Sequence, residues 1–150
     1  MLQKVLVPLD ESSFAEQAIP FAQRLLAPEG KLIIMTVVEE NNNLFSRYKF
    51  KNTDSIKQEM IDHATEYLKQ LGAVLRKDTT HQVEAEIRVG APSVCIVEAA
   101  QDYEVDAIVM STRGQSDFNR LLIGSVTQKV LNDAQCPVVV VPAKTMKDSL

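Results

Sequence analysis

Short apolar runs alternate along this chain with longer segments whose apolar residues recur every three or four positions, and few folds accept that alternation. The first run, residues 4–9, contains Val5-Leu6-Val7, a continuous apolar stretch that fits a parallel strand covered on both faces. Asp10-Glu11-Ser12-Ser13 then offers cap residues for a helix reaching about Leu26, with Ala15, Ala18, Ile19, Ala22 and Leu26 along one face. Pro20 is expected to kink that helix, because proline lacks a backbone donor and crowds the preceding turn. Pro28-Glu-Gly30 is expected to end the unit. A second strand over 31–38 leads through a polar, Asn-rich connection to a helix over 53–76 bearing Ile56, Met60, Ala64, Tyr67, Leu68 and Leu71, with Gly72 a candidate early stop. Residues 82–89 alternate Val83, Ala85, Ile87 and Val89 against polar neighbours, the pattern of an edge strand with one wetter face. Pro92 opens a helix to about Tyr103, residues 107–110 form a fourth strand, Ser125 begins a helix to about Asn132, and the apolar run from Pro137 to Val141 is the fifth strand. Five strands alternating with four helices make an α/β doubly wound parallel sheet, whose ligands sit outside the carboxyl ends of the strands where strand order reverses. No linker, repeat or low-complexity tract divides the chain, so residues 1–150 read as one domain.

The chemistry concentrates between Ser111 and Thr127. Ser111-Thr-Arg-Gly114 follows the fourth strand, and nine residues after Gly114 the sequence Gly124-Ser-Val-Thr127 begins an amphipathic segment. Two glycines framing a loop between a strand end and a helix start make an anion-binding arrangement: the first helical N–H groups lack carbonyl partners, and the helix dipole places about half a positive charge there. Gly124 leaves room for a phosphate against the backbone, and Ser125 adds a hydroxyl at or beside the cap. An ordinary N-cap without a ligand is the competing reading of an isolated Gly-Ser.

Composition narrows the function classes. The 150 residues are 45% hydrophobic, enough for a soluble core without disulfide or metal staples. The net charge of −4, with no basic cluster, argues against nucleic-acid and anionic-membrane partners. Cys95 and Cys136 show neither a Cys-x-x-Cys pair nor His at ligand spacing, and read as reduced cysteines in a cytoplasmic protein. The N-terminal apolar run is too short for a signal peptide, and no run approaches membrane length. His63 on the long helix and His81 in a polar loop have no nucleophile partner evident in sequence, and neither a Gly-x-Ser-x-Gly elbow nor a P-loop lysine is present. No catalytic residue and no metal-ligand set are assigned.

Lys4-Val-Leu-Val-Pro-Leu-Asp10 with Ser12 and Ser13, Gly90-Ala-Pro92, Ser111-Thr-Arg-Gly114 through Gly124-Ser-Val-Thr127, and Cys136-Pro-Val-Val-Val140 together resemble a single-domain, ATP-binding universal stress protein over nearly the whole chain. The resemblance implies the adenine-nucleotide alpha-hydrolase-like fold with strand order 3-2-1-4-5. It also implies a nucleotide motif of Gly, two residues, Gly, nine residues, and Gly followed by Ser or Thr. Gly114, Gly124 and Ser125 match that motif, while Ser111 stands where its first glycine would be.

Carried over residue by residue, Pro8, Leu9 and Asp10 would border adenine and ribose, Val37 would pack on the base, and Met110 and Ser111 would line the ribose side. Gly114, Gly124, Ser125, Val126 and Thr127 would hold phosphates, with Arg113 and Arg120 screening their charge or merely solvated. Asp10 has a second reading as a helix cap, and Val37 and Met110 as plain core. Mg²⁺ would be held mainly by the phosphates. The implied function is an ATP-binding stress-response or signalling module with slow or no hydrolysis, acting through conformation and an unidentified protein partner. The alternative is a nucleotide-free dimeric interaction protein of the same fold. The apolar last strand, 137–141, leaves an open edge for a homodimer. The aromatic-bearing connection over 39–52 reads either as a lid folding over the adenine edge or a dimer neighbour, or as a loop packed on the long helix.

Overall fold

The computed structural model describes residues 1–39, 53–112 and 123–144. Its elements run β1 (Leu2–Leu9), α1 (Ser13–Glu16), α2 (Ala18–Leu25), β2 (Leu26–Val38), α3 (Thr53–Lys77), β3 (Gln82–Val89), α4 (Pro92–Asp102), β4 (Ala107–Thr112), α5 (Ser125–Asp133) and β5 (Val138–Pro142). The strands form one parallel sheet in the order β3-β2-β1-β4-β5, as the resemblance implies.

Side-chain alternation explains why this sheet is covered on both faces. Val5, Val7 and Leu9 of β1, Leu32 and Ile34 of β2 and Val109 of β4 point one way, into a core with Ala18, Ile19 and Ala22 of α2 and Leu68 of α3. Leu6, Ile33, Met35, Ile108 and Met110 point the other way, against Cys95, Ile96, Ala99 and Ala100 of α4 and Val130 of α5. Leu6, Ile33 and Ile108 are wholly buried, and truncation of any of them to alanine costs about 2–5 kcal/mol.

The four expected helices are present, the first of them in two pieces. Pro20 supplies no N–H to the carbonyl four residues back, and the break falls there: Gln17 closes α1 and begins α2. The Gln17 side chain clasps the chain beyond β5, its amide donating to the Lys144 carbonyl and accepting from the Lys144 N–H at 2.6 and 2.9 Å.

Two expected stops do not act as stops. Pro28-Glu-Gly30 lies inside β2, where four residues (27–30) stand against the single Gln3 between the Leu2↔Leu26 and Lys4↔Lys31 pairs. Gly30 permits this bulge, since a Cβ there would lie 2.9 Å from the Leu26 side chain and 3.1 Å from the Gln3 carbonyl oxygen. Gly72 stays within α3. Its penalty of about 1 kcal/mol relative to alanine is offset by the core contacts of Leu68, Leu71 and Leu75 on the same helix.

Candidate functional site

Strand order reverses at β1, which pairs with β2 on one side and β4 on the other, so the connections leaving these strands part at their carboxyl ends. A cleft of about 660 Å³ opens there. Pro8, Leu9 and Asp10 reach it from β1, Thr36 and Val37 from β2, Met110, Ser111 and Thr112 from β4, and Gly124, Ser125, Val126 and Thr127 from the start of α5. Arg113, Gly114 and Arg120 lie outside the described residues, as does the 40–52 part of the connection read as a lid or a packed loop.

At the α5 end, Gly124 is the N-cap, and the first helical hydrogen bond runs from Gln128 N–H to its carbonyl at 2.9 Å. The N–H groups of Ser125, Val126 and Thr127 therefore have no acceptor within the helix. Gly124 has φ −57°, a conformation open to any residue, and a Cβ built on it meets no atom within 4 Å among the described residues. Among the described residues, neither backbone strain nor packing accounts for this glycine. Ser125 is exposed, while Thr127 shares the buried face of α5 with Val130. Ser111 belongs to extended β4 and is not among the positive-φ residues, so a serine costs no backbone strain there. Its hydroxyl lies 3.4 Å from the Ala15 carbonyl.

The opposite end is acidic. Asp10, Glu11 and Glu39 line it, and no Lys, Arg or His does so among the described residues. The helix cap expected of Asp10 is Ser12, whose Oγ accepts from Ala15 N–H at 3.1 Å. Asp10 holds that cap in place, its carboxylate accepting from the Ser12 N–H at 3.0 Å and from the Ser12 hydroxyl. Leu9 and Met110 are buried core residues as well as cleft walls, and Val37 is half-buried against the α4 side.

The model of the universal stress protein family matches residues 1–142. The chain belongs to that family. It is 29% identical over 157 aligned residues to universal stress protein MJ0577 of Methanocaldococcus jannaschii, covering 96% of this chain and 97% of that one. The solved structure of MJ0577 superposes with a TM-score of 0.79 at 28% identity, over 95% and 97% of the two chains. A universal stress protein in complex with cAMP gives 0.67 at 24% identity over 95% and 98%, and a family protein from Arabidopsis thaliana with AMP bound gives 0.61 at 15% over 95% and 93%. At those last two identities the likeness speaks for the fold.

Sequence reasoning about this universal stress protein missed three residues beside the cleft. Glu11 adopts φ +68°, a left-handed conformation costly for a side chain other than glycine or asparagine, and lines the cleft at the β1–α1 turn. Its carboxylate lies 2.9 Å from Nε2 of His63 on α3, a histidine that sequence placed on the long helix and whose side chain is 76% exposed. Thr36 is 5% exposed, and its hydroxyl has no hydrogen-bond partner among the described residues. Thr36 was legible only as the neighbour of Val37 at a strand end. Its isolation is a property of the assembled sheet. A smaller cleft of about 430 Å³, between β2 and α3, adjoins this site and shares Glu11, Thr36, Val37 and Met60 with the main one.

Proposed function

We propose that this universal stress protein is an ATP-binding stress-response or signalling module, one domain over residues 1–150, in which bound nucleotide shifts conformation and partner choice. The observation that carries this reading is the α5 start: three helix N–H groups without intrahelical acceptors open onto the cleft beside a glycine whose missing side chain no described protein atom needs to avoid. The cleft is also polar along its length. Carboxylates at the β1–β2 end repel phosphate and accept from hydroxyl and amino groups, so a nucleotide lies with base and ribose there and phosphates at α5. Two fold neighbours, in complex with cAMP and with AMP bound, support an adenine nucleotide.

On this reading Pro8, Leu9, Asp10 and Val37 border base and ribose, Met110 and Ser111 flank the ribose, and Ser125, Val126 and Thr127 hold phosphate with Gly124. Among the described residues no three His, Cys, Asp or Glu side chains are placed to hold a metal, so Mg²⁺ travels on the phosphates. Hydrolysis is slow or absent, as the sequence offers no P-loop lysine. Cys95 and Cys136, present as thiols, suit a reducing cytoplasm. Among the described residues no helix is long and apolar enough to cross a membrane.

The second reading, a nucleotide-free dimeric interaction protein, is favoured by the sheet edges. Edge strand β3 carries Glu84, Glu86 and Arg88, whereas β5 presents Val138, Val139 and Val140, all partly exposed. Charge blunts the first edge and leaves the second suited to pairing with its own copy. Acid release and chromatography of nucleotide co-purifying with the protein separates the two readings, and calorimetric titration with Mg-ATP of stripped protein follows. No heat and no thermal shift at millimolar ATP would leave the second reading.

A further inference from the structure

Thr36 is a hydroxyl where the fold asks for a methyl. It stands on β2 opposite Leu9 of β1 and Ile87 of β3, on the face it shares with Leu32 and Ile34. Those two neighbours belong to the core that Leu68 of α3 closes. A buried hydroxyl without a partner destabilises a fold relative to an isosteric apolar group, so valine would serve packing better at this position. Thr36 lines both the main cleft and the smaller cleft between β2 and α3, and so marks their junction.

The charges around the smaller cleft indicate what the hydroxyl meets. Glu11 and Glu59 line it with carboxylates, which when ionised only accept hydrogen bonds, and His63 is already turned to Glu11 at 2.9 Å. A ligand edge entering this space is favoured if it offers N–H donors and disfavoured if it offers a carbonyl oxygen. We infer that Thr36, with the acidic lining beside it, reads the 6-amino group of a purine: the amine donates to Thr36 Oγ1, and a 6-oxopurine sets its oxygen against Glu11 and Glu59. This rests on the nucleotide reading above and adds to it a side chain that selects the base.

The test uses the full chain stripped of nucleotide, its Thr36→Val and Thr36→Ser variants, and two probes, ATP and inosine triphosphate. Thr36→Val is expected to raise the thermal midpoint of the ligand-free protein by about 2–4 °C, because it removes a buried hydroxyl that has no partner among the described residues. The same variant is expected to weaken ATP about five- to tenfold and inosine triphosphate less than about twofold, erasing most of the preference between them. Thr36→Ser keeps the hydroxyl and is expected to retain the preference. A midpoint unchanged or lowered in Thr36→Val would show that the hydroxyl already has a partner, and overturns the inference. ATP binding untouched by Thr36→Val, or both probes weakened alike, overturns it while leaving the nucleotide reading intact. Binding of neither probe to the unaltered protein overturns both.

Discussion

Lys4 and Asp106 hold each other twice: the Lys4 N–H donates to the Asp106 carboxylate at 2.9 Å, and the Asp106 N–H donates to the Lys4 carbonyl at 2.8 Å. The Gln3 N–H reaches the same carboxylate oxygen at 2.8 Å. This clamp lies at the amino ends of β1 and β4, just ahead of the Val5↔Ala107 and Leu6↔Ile108 pairs, and secures the register of the two strands between whose far ends the cleft opens.

Asp106 is therefore expected to mark the acid limb of stability. Hydrogen bonds from the Lys4 and Gln3 backbone hold its carboxyl below the usual carboxylate range. A depressed folded value contributes stability above the unfolded value of about 3.9, and that contribution disappears as pH falls through the folded value. Asp106→Ala should cost about 1–2 kcal/mol at neutral pH, a modest figure because the carboxylate is exposed and screened, and the difference should shrink toward zero near pH 2. Urea unfolding of both proteins across that range measures it.

Tyr67 sets the corresponding alkaline limb. Its hydroxyl donates to Glu16 Oε2 at 2.8 Å, joining α3 to α1. Burial foremost, then the Glu16 bond, raises its pKa well above the ordinary phenol range, and the same causes act on Tyr103 through Glu86. A raised folded value gives stability present below about pH 10 and lost as pH climbs through the folded value. Tyr67→Phe should cost about 1 kcal/mol at pH 7 and lose stability less steeply than the unaltered protein above pH 10. Parallel slopes in denaturant titrations from pH 8 to 12 would contradict this.

Gly124→Val should reduce ATP affinity by at least about a hundredfold while circular dichroism stays unchanged, because its side chain projects into space no described protein atom occupies. Ser125→Ala should be milder. It removes one hydrogen bond to a charged group, roughly 1.5–3 kcal/mol or about ten- to hundredfold in affinity. Calorimetry in Mg²⁺ reads both, and a valine variant that binds normally would place the phosphates elsewhere.

Val140 offers the cleanest test of the open edge. Val139 packs against one core cluster and Val138 against the other, while Val140 belongs to neither. Val140 is half-buried, so Val140→Lys should lower the thermal midpoint by about 2–4 °C, less than the same charge at the core-packed Val139, and should convert a dimer to a monomer while circular dichroism shows the fold intact. Light scattering at low micromolar concentration decides, and a monomer mass for the unaltered protein would remove the dimer.

Four strands were legible as short apolar runs and β3 by its alternation, and the helix face of Ala18, Ile19 and Ala22 was legible from its spacing. Local breaker residues misled wherever tertiary contacts outweighed them. Pro28 and Gly30 mark a turn in isolation but a bulge beside β1, and Gly72 is carried by the leucines of its helix. The helix start at Gly124 and Ser125 followed from the loop between a strand end and an amphipathic segment, whereas the cleft residues of β1 and β4 came only from the family resemblance. The left-handed Glu11 and the Thr36 hydroxyl, unpartnered among the described residues, were not legible, because the first is a backbone state its residue type disfavours and the second arises only once β2 lies between its neighbours.

The unlike borders of the sheet also govern how many copies can join. A sheet bare on both sides can add neighbours without limit, the geometry of a fibre. Here Glu84, Glu86 and Arg88 guard one side, and the valines of β5 leave only the other available. If two chains pair valine to valine about a two-fold axis, that one contact would use up both valine borders, and assembly along this direction would stop at two.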